Sequence, residues 1–340
     1  MKLKTLILVW LVTAAVFATS SAWAATLKIA ALSPDGTYVM KELRKAGKEI
    51  KKRTDGRVKI KYYPGGVMGD DKAVLKKMRI RQLHGGIFTS SSLTRFSKDN
   101  QVYNLAFKFK SFDEVDYVRD HMDSLLLDDL NKSKLVALGL FEVGFAYIMS
   151  TRPISSVDDL RAQKAWIPDM DKMGVESMKA FSISPIPLPF SDVLAGLQTG
   201  VVTTVAGSPI GAIALQWHTK VKYLTDLPLL YSTAALVVDS KAFAKLDNTD
   251  QNIVREIFER VSRNIDEKNR EDNIAAKSAL ANQGITFIKP TERETQEWFR
   301  LGGLATERVV KEGHVSNKFI EILNQHIDTY RQQTDPESNG

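Results

Sequence analysis

The side chains that could carry metal or nucleophilic chemistry are few and scattered in this sequence. The absence of cysteine excludes a thiol nucleophile, thiolate metal ligands and disulfides. No histidine lies at metal-ligand spacing from another His, Asp or Glu, and the Gly-x-Ser-x-Gly and Gly-Lys-Ser/Thr motifs are missing. The histidines are His84, His121, His218, His314 and His326. We therefore expect no enzymatic activity, no metal site and no organic cofactor.

Two short polar clusters have alternative roles. Asp70-Asp71 could form a paired-carboxylate site, although carboxylates also stabilise the N-terminus of a helix. Ser90-Ser91-Ser92 follow a strand signal at 87–88. Hydroxyls at a strand end in an α/β sheet can hydrogen-bond a ligand, and they can also cap a helix over 93–96. The sequence leaves both roles of the serines open.

Strand and helix signals alternate in the first part of the chain. Short apolar or alternating segments at 27–32, 58–62 and 86–88 predict strands. Helical periodicity over 37–53 and an acidic helix start at 70 separate them. The β-α-β-α-β order predicts a doubly wound α/β lobe.

A second α/β pattern follows residue 150. Its expected elements are strands at 165–167 and 234–238 and helices at 191–199 and 210–218. We place the crossings between the two patterns near residues 148 and 232.

A long helix is predicted from Asn248 to Gln283, with Thr249 as a possible cap and Gly284 as its end. At 1.5 Å per residue it would span about 50 Å, which exceeds one lobe. A helix of this length could brace both lobes. The alternative is two shorter helices with a break in the polar stretch 266–272.

The N-terminus has the layout of a secretory signal peptide. Two lysines precede an apolar stretch over 5–17, and Ala22-Trp23-Ala24 has the small-x-small form of a cleavage site. The stretch is shorter than the ~20 residues of a membrane-spanning helix. We expect secretion after cleavage near Ala24 or Ala25.

The charge of the chain is moderately positive. The formal net charge is +7, and removal of the two signal-peptide lysines leaves +5. Ordinary solvated surface explains this excess, and a weak anionic partner or a membrane surface is the alternative. No nucleic-acid-binding motif is present, so we expect no nucleic-acid partner.

Several motifs occur in a characteristic order between residues 27 and 285. They are Thr54-Asp55-Gly56-Arg57-Val58-Lys59-Ile60, Tyr63-Pro64-Gly65-Gly66, Met68-Gly69-Asp70-Asp71, Pro153-Ile154, Asp158-Asp159-Leu160, and Pro187–Leu197 followed by Gln198-Thr199-Gly200-Val201-Val202. In this combination the chain resembles the solute-binding component of TRAP transporters, the tripartite ATP-independent periplasmic transporters.

The resemblance implies a two-lobed α/β fold of the periplasmic-binding-protein type, with hinge strands and a long helix along both lobes. It also implies a monomeric periplasmic protein that closes on a small-molecule solute and delivers it to TRAP membrane permease subunits. A periplasmic sensor or scaffold of the same fold is the alternative. The expected domains are a signal peptide (1–25), lobe I (26–148 plus 232–265), lobe II (149–231 plus 266–330) and a flexible tail (331–340).

The sequence departs from the family at the residues that would bind a carboxylate. The resemblance implies an Arg where Trp166 stands, a second Arg where Ala146 stands, and an acidic residue where Thr203 stands. The Arg at the first position pairs with the solute carboxylate in a bidentate geometry. We therefore expect a ligand other than a simple carboxylate held by the usual Arg, with Lys164 as a possible substitute charge.

Family position and strand-end location together predict a mainly apolar, aromatic cleft with a few hydroxyls. The predicted ligand-binding residues are Tyr38, Phe88, Thr89, Ser90, Ala146, Tyr147, Trp166, Phe190 and Ser208. The Trp166 face could instead hold a cation, which is worth ~0.5–2 kcal/mol. The remaining alternative is that Trp166 only packs in the core while another basic residue binds an acid.

Overall fold

A computed structural model describes residues 24–334. Its strands are β1 (Ala25–Ala30), β2 (Val58–Tyr63), β3 (Gly85–Thr89), β4 (Leu135–Ser150), β5 (Trp166–Pro168), β6 (Ile186–Leu188), β7 (Thr204–Gly207), β8 (Tyr223–Thr225), β9 (Leu230–Asp239) and β10 (Thr286–Ile288). Its α-helices are α1 (Tyr38–Arg53), α2 (Asp71–Arg79), α3 (Phe112–Asn131), α4 (Val157–Arg161), α5 (Lys172–Ala180), α6 (Val193–Thr199), α7 (Pro209–Ala214), α8 (Ser240–Phe243), α9 (Asn248–Asn282), α10 (Glu292–Lys311) and α11 (Asn317–Thr334). Short 3-10 segments are Ser90–Leu93, Lys98–Asn104, Phe190–Asp192 and Trp217–Thr219.

One mixed sheet runs through both lobes, in the order β10-β8-β4-β9-β3-β1-β2, with β7 also paired to β4. In the first lobe β1 lies parallel to both β2 and β3, while β9 is antiparallel to β3. The parallel pair β5-β6 is a small second sheet. This arrangement confirms the predicted α/β class.

The first lobe buries both faces of its sheet, because alternate strand residues point to opposite sides. Leu27 and Ile29 pack with α1 and α9 residues, whereas Ala30 packs on the side of α2 and α3. On β9, Leu236 and Val237 divide between the same two clusters. The lobe is therefore a three-layer structure that holds the carboxyl end of β3 at the cleft.

Two long antiparallel strands connect the lobes. β4 pairs with β9 from Leu135 to Ala146, and from Tyr147 onward it pairs with β7 and β8 instead. A register shift lies between Glu142 and Gly144, immediately before this change of partner. The change lies close to residue 148, where a crossing is predicted.

Helix α9 is continuous over 35 residues, so the alternative of two shorter helices is wrong. Its N-cap is Asp247, rather than Thr249, because the Asp247 side chain accepts a hydrogen bond from Asp250 N. The helix packs against α1, β4 and α7, and thus along both lobes. In its polar stretch, Asn269 and Asn273 donate to the backbone oxygens of β4 at 142 and 143.

The C-terminal helices divide between the lobes. Helix α10 packs on α5 of the second lobe, whereas α11 packs on α3 of the first. Phe319, Leu323 and Ile327 of α11 belong to the same core as Val115 and Met122. The expected assignment of 317–330 to lobe II therefore differs from the structure. Residues 331–334, expected in a flexible tail, are the last turn of α11.

The predicted signal peptide and cleavage site lie almost wholly outside the described residues. The tail beyond 334 also lies outside them. In the part that the structure describes, no helix has both the length and the apolar character needed to cross a membrane.

Candidate binding cleft

A cavity of about 270 Å³ lies between the lobes. The first lobe contributes Thr89, Ser91 and Asn104 to its wall, and the crossing strands contribute Ala146 and Ser232. The second lobe supplies most of the remaining wall, chiefly from apolar side chains. Because both lobes and both crossing strands border it, relative movement of the lobes would open or close this cavity. Its size and apolar character suit a small ligand.

Three rings of the second lobe form an aromatic wall, consisting of Trp166, Phe190 and Trp217. Trp166 meets Phe190 and Trp217 edge to face, with centroids 5.0 Å and 5.2 Å away, and the other two rings are nearly parallel. The Trp166 indole donates to Leu188 O at 2.9 Å, and only 6% of the residue is exposed. Trp166 is therefore both a core residue and part of the cavity wall.

Some polar atoms of cavity-lining residues have no protein partner. Thr204 Oγ1, Trp217 Nε1 and Asn104 Oδ1 are buried and make no hydrogen bond within residues 24–334. An unsatisfied buried polar group costs about 1–3 kcal/mol. The hydrogen-bonding capacity of these three atoms is therefore not used within the described residues.

The charge of the cavity wall is unusual for a site that would hold an anion. Among the described lining residues none is Lys, Arg or His, and Asp171 is the one carboxylate. Lys164 is exposed and donates from Nζ to Gly200 O at 2.9 Å, outside the cavity wall. Thr203 donates to the side chain of Gln163. Lys164 thus does not replace the missing Arg in this structure.

Asp171 lies where the two lobes meet. Its Oδ1 caps α5 by accepting from Gly174 N at 2.8 Å, and it also accepts from Gln101 Nε2 at 2.8 Å. Burial raises the pKa of the Asp171 carboxyl, opposed by these two hydrogen bonds and by nearby His314. Since Gln101 belongs to the first lobe, this hydrogen bond crosses the cleft.

Residues 29–312 match the sequence profile of the family described as bacterial extracellular solute-binding protein, family 7 (DctP). The chain belongs to this family. As a family 7 member it is an extracytoplasmic solute-binding protein and not an enzyme.

Two relatives are similar to the chain over most of their length. The chain is 24% identical to a solute-binding protein of Roseobacter denitrificans, over 94% of this chain and 95% of that protein. It is also 24% identical to the C4-dicarboxylate-binding periplasmic protein DctP of Rhodobacter capsulatus, over 73% of this chain and 75% of that protein.

The fold is that of known TRAP periplasmic solute-binding proteins. A crystal structure from Pseudomonas putida with bound D-glucuronate has a TM-score of 0.80 at 20% identity, covering 87% of this chain and 96% of that chain. A second, from Xanthobacter autotrophicus with bound β-D-galacturonate, has a TM-score of 0.81 at 17% identity, covering 89% and 99%. These similarities confirm the two-lobed binding-protein fold.

In this family 7 protein the predicted ligand-binding residues fall into two groups. Those that line the cavity are Thr89, Ala146, Trp166, Phe190 and Ser208. Those outside the described lining are Tyr38, Phe88, Ser90 and Tyr147. Alternation along a strand explains part of this division, because neighbours such as Ala146 and Tyr147 face opposite ways.

The four residues outside the lining have other contacts. Phe88 is buried in the first-lobe core, and Ser90 donates to Thr233 O at 2.8 Å. Tyr147 lies under Lys277, whose Nζ is 4.8 Å from the ring centroid. Tyr38 begins α1 and packs against the core between α1 and α9.

The two polar clusters are connected at the cavity edge. Asp70 is the N-cap of α2, whereas Asp71 accepts from the backbone and hydroxyl of Thr89. The Thr89 hydroxyl lies 3.1 Å from Ser91 Oγ and 3.0 Å from Ser92 Oγ. The serines form a 3-10 turn without a side-chain cap, and Ser91 lines the cavity. Helix capping thus explains Asp70, and Asp71 instead orients the hydroxyls.

Sequence reasoning missed Trp217, Asn104, Asp171 and Gln101. Asp171 carries a weak signal, since an acidic residue directly before a helix is a common N-cap. Nothing local marks the other three, which reach the cleft from 3-10 segments. Within residues 24–334 there is also no cluster of three or more His, Cys, Asp or Glu side chains suited to a metal ion.

Proposed function

We propose that this protein is the periplasmic component of a TRAP-type secondary transporter. It captures a small organic solute in the interlobe cavity as a monomer and presents it to the membrane permease subunits. The family match and the TRAP proteins of the same fold support this role. Cleavage near Ala24 or Ala25 would release the mature protein into the periplasm.

The ligand differs from those named for the related proteins. D-glucuronate, galacturonate and C4-dicarboxylates all carry carboxylates, which favour a cationic partner. The observation that carries the proposal is a cavity with an aromatic wall and no Lys, Arg or His among its described lining residues. A carboxylate buried there would lose hydration without gaining a counter-charge. We therefore assign a small, mainly apolar solute that is not a simple carboxylate.

A thermal-shift screen of the mature protein against apolar, cationic and carboxylate solutes tests this assignment, because a ligand of the native state raises Tm. The matched variants are Phe190→Ala in the aromatic wall and Phe299→Ala, which is exposed and outside the lining. We expect only Phe190→Ala to weaken binding of a hit, by about tenfold. Tight, salt-sensitive binding of a small dicarboxylate would overturn the ligand assignment.

Transport itself requires a second experiment. Proteoliposomes that contain the permease subunits should accumulate the bound solute only when this protein and an ion gradient are present. Solute binding without any stimulation of uptake would instead favour the periplasmic sensor or scaffold.

A further inference from the structure

Only one of the two oxygens of the Asp171 carboxylate accepts hydrogen bonds from the described part of the protein. Both hydrogen bonds that it receives within residues 24–334 end on Oδ1. Oδ2 lies beside Gly174, where an added Cβ would be 2.6 Å from Oδ2 and 2.5 Å from Ile167 Cδ1. Asp171, Gly174 and Ile167 all line the cavity. The second oxygen, Oδ2, therefore lies among cavity-wall atoms and accepts no hydrogen bond from residues 24–334.

No cation of the cavity wall compensates this carboxylate. Gln101 and the Gly174 backbone are neutral donors, and the basic group whose charge acts on Asp171 is His314, outside the described lining. A partly buried carboxylate without a counter-charge loses some of its hydration, and this cost falls when a cation approaches. The cavity thus combines an uncompensated negative charge with aromatic ring faces, which also attract cations.

We propose that Asp171 anchors the ammonium group of a primary amine whose apolar body lies against the aromatic wall. This inference rests on the proposed solute-binding function and specifies the class of solute. A carboxylate solute would instead meet repulsion from Asp171, and a neutral alcohol would gain a hydrogen bond without the charge attraction. Thr204 and Asn104 also belong to the cavity lining, and their side-chain oxygens have no hydrogen-bond partner within residues 24–334.

Three probes of similar skeleton test the proposal: 2-phenylethylamine, 2-phenylethanol and phenylacetate. Affinities are measured by calorimetry at pH 7.5 on the mature protein. We expect the amine to bind at least tenfold more tightly than the alcohol, and phenylacetate to bind most weakly.

The matched variants are Asp171→Asn and Asp169→Asn. Asparagine keeps an N-cap oxygen for Gly174 N and Gln101, so the fold should persist, which circular dichroism checks. Asp169 is exposed and outside the lining, two residues away. Asp171→Asn should reduce amine affinity at least tenfold and alcohol affinity less than threefold, and Asp169→Asn should change neither.

The pH profile separates a charge effect from a packing effect. Burial raises the pKa of Asp171, so amine affinity should increase with pH as this carboxyl ionises, while a primary ammonium stays charged up to about pH 10. This rise of amine affinity with pH should be absent in Asp171→Asn. The single variant His314→Gln, which keeps Asp171, should retain it.

The results distinguish failure of the amine assignment from failure of the proposed apolar-solute function. If amine and alcohol bind equally in both wild type and Asp171→Asn, the amine assignment is wrong while the apolar cleft stands. If phenylacetate binds most tightly, both ligand assignments are wrong. If none of the three probes binds with a Kd of about 10 mM or lower, the amine assignment is also wrong, and binding of another apolar solute decides the proposed function.

Discussion

Arg270 Nη2 lies 2.6 Å from Oε2 of Glu142, a residue with no exposed surface. Arg270 belongs to α9, and Glu142 lies at the register shift of β4 where this strand approaches the second lobe. The same carboxylate oxygen accepts from the Tyr231 hydroxyl, and Arg270 also pairs with Asp116 of α3. These contacts therefore tie four elements together, α9, β4, β9 and α3.

Arg270→Met should destabilise the protein by about 3–5 kcal/mol, because it leaves the buried Glu142 charge without its partner. Adding Glu142→Gln should recover part of the loss. Urea unfolding measures both free energies. Arg263→Met, on an exposed face of the same helix, should change stability by less than about 0.5 kcal/mol. Equal effects of the two methionine variants would contradict this role.

Asp71→Asn should change how stability depends on pH. Burial raises the pKa of Asp71 to about 6, above its ordinary value of about 3.9 in the unfolded chain. Between these values the folded state binds more protons than the unfolded state, so this carboxyl reduces the free energy of unfolding as pH rises. The variant should therefore gain stability relative to wild type from pH 4 to 7. Exposed Asp128→Asn should show no such trend in the same denaturation series.

Thr204→Val and Thr225→Val should have opposite effects on stability. The Thr204 hydroxyl is buried without a partner in the described chain, whereas Thr225 donates to Ile154 O at 2.7 Å. Valine has a similar shape, so Thr204→Val should leave stability unchanged or raise it by up to about 1 kcal/mol. Thr225→Val should cost about 1–2 kcal/mol because it leaves a buried acceptor unpaired. Thermal unfolding distinguishes them, and a loss at Thr204 as large as that at Thr225 would refute the assignment.

Gly144→Ala should destabilise the crossing strand more than Gly36→Ala destabilises its loop. Both glycines have positive φ, +100° and +86°, so both substitutions introduce backbone strain. Only at Gly144 would the new Cβ collide with a neighbour, Asn273 Nδ2 at 2.6 Å. We expect a loss of about 1 kcal/mol at Gly36 and at least twice that at Gly144, from chemical denaturation. Similar losses would show that the α9 contact is unimportant.

Gln101→Ala should shift the protein towards an open form, since it removes a hydrogen bond between the lobes worth about 0.5–1.5 kcal/mol. Small-angle scattering should show a decrease in the radius of gyration of wild type at saturating solute, as in hinge closure. The variant should need about 2- to 10-fold more solute for the same decrease. Exposed Gln296→Ala is the control. An unchanged radius for solute-saturated wild type would exclude closure.

Local patterns in the sequence determined the early elements and the fold class. The strand before α1 and the cap at Asp70 depend on periodicity and on residues within one or two turns, whereas the continuity of α9 through its polar stretch was decided by the structure. The same order of motifs indicated the family, and the missing Arg at Trp166 pointed to an unusual ligand. The strands, the cap and the motif order are short-range features, so one sequence suffices to predict them, whereas the unusual ligand stays a proposal.

Only the tertiary structure decided which residues share the cleft. Phe88 and Thr89 are neighbours on β3, but the strand turns one into the core and the other to the cavity. Gln101 and Asp171 are 70 residues apart and meet because the first lobe lies against the start of α5. Helix α11 returns to the first lobe because its apolar face fits the core of α3. Such contacts depend on the packing of distant segments, which no local pattern encodes.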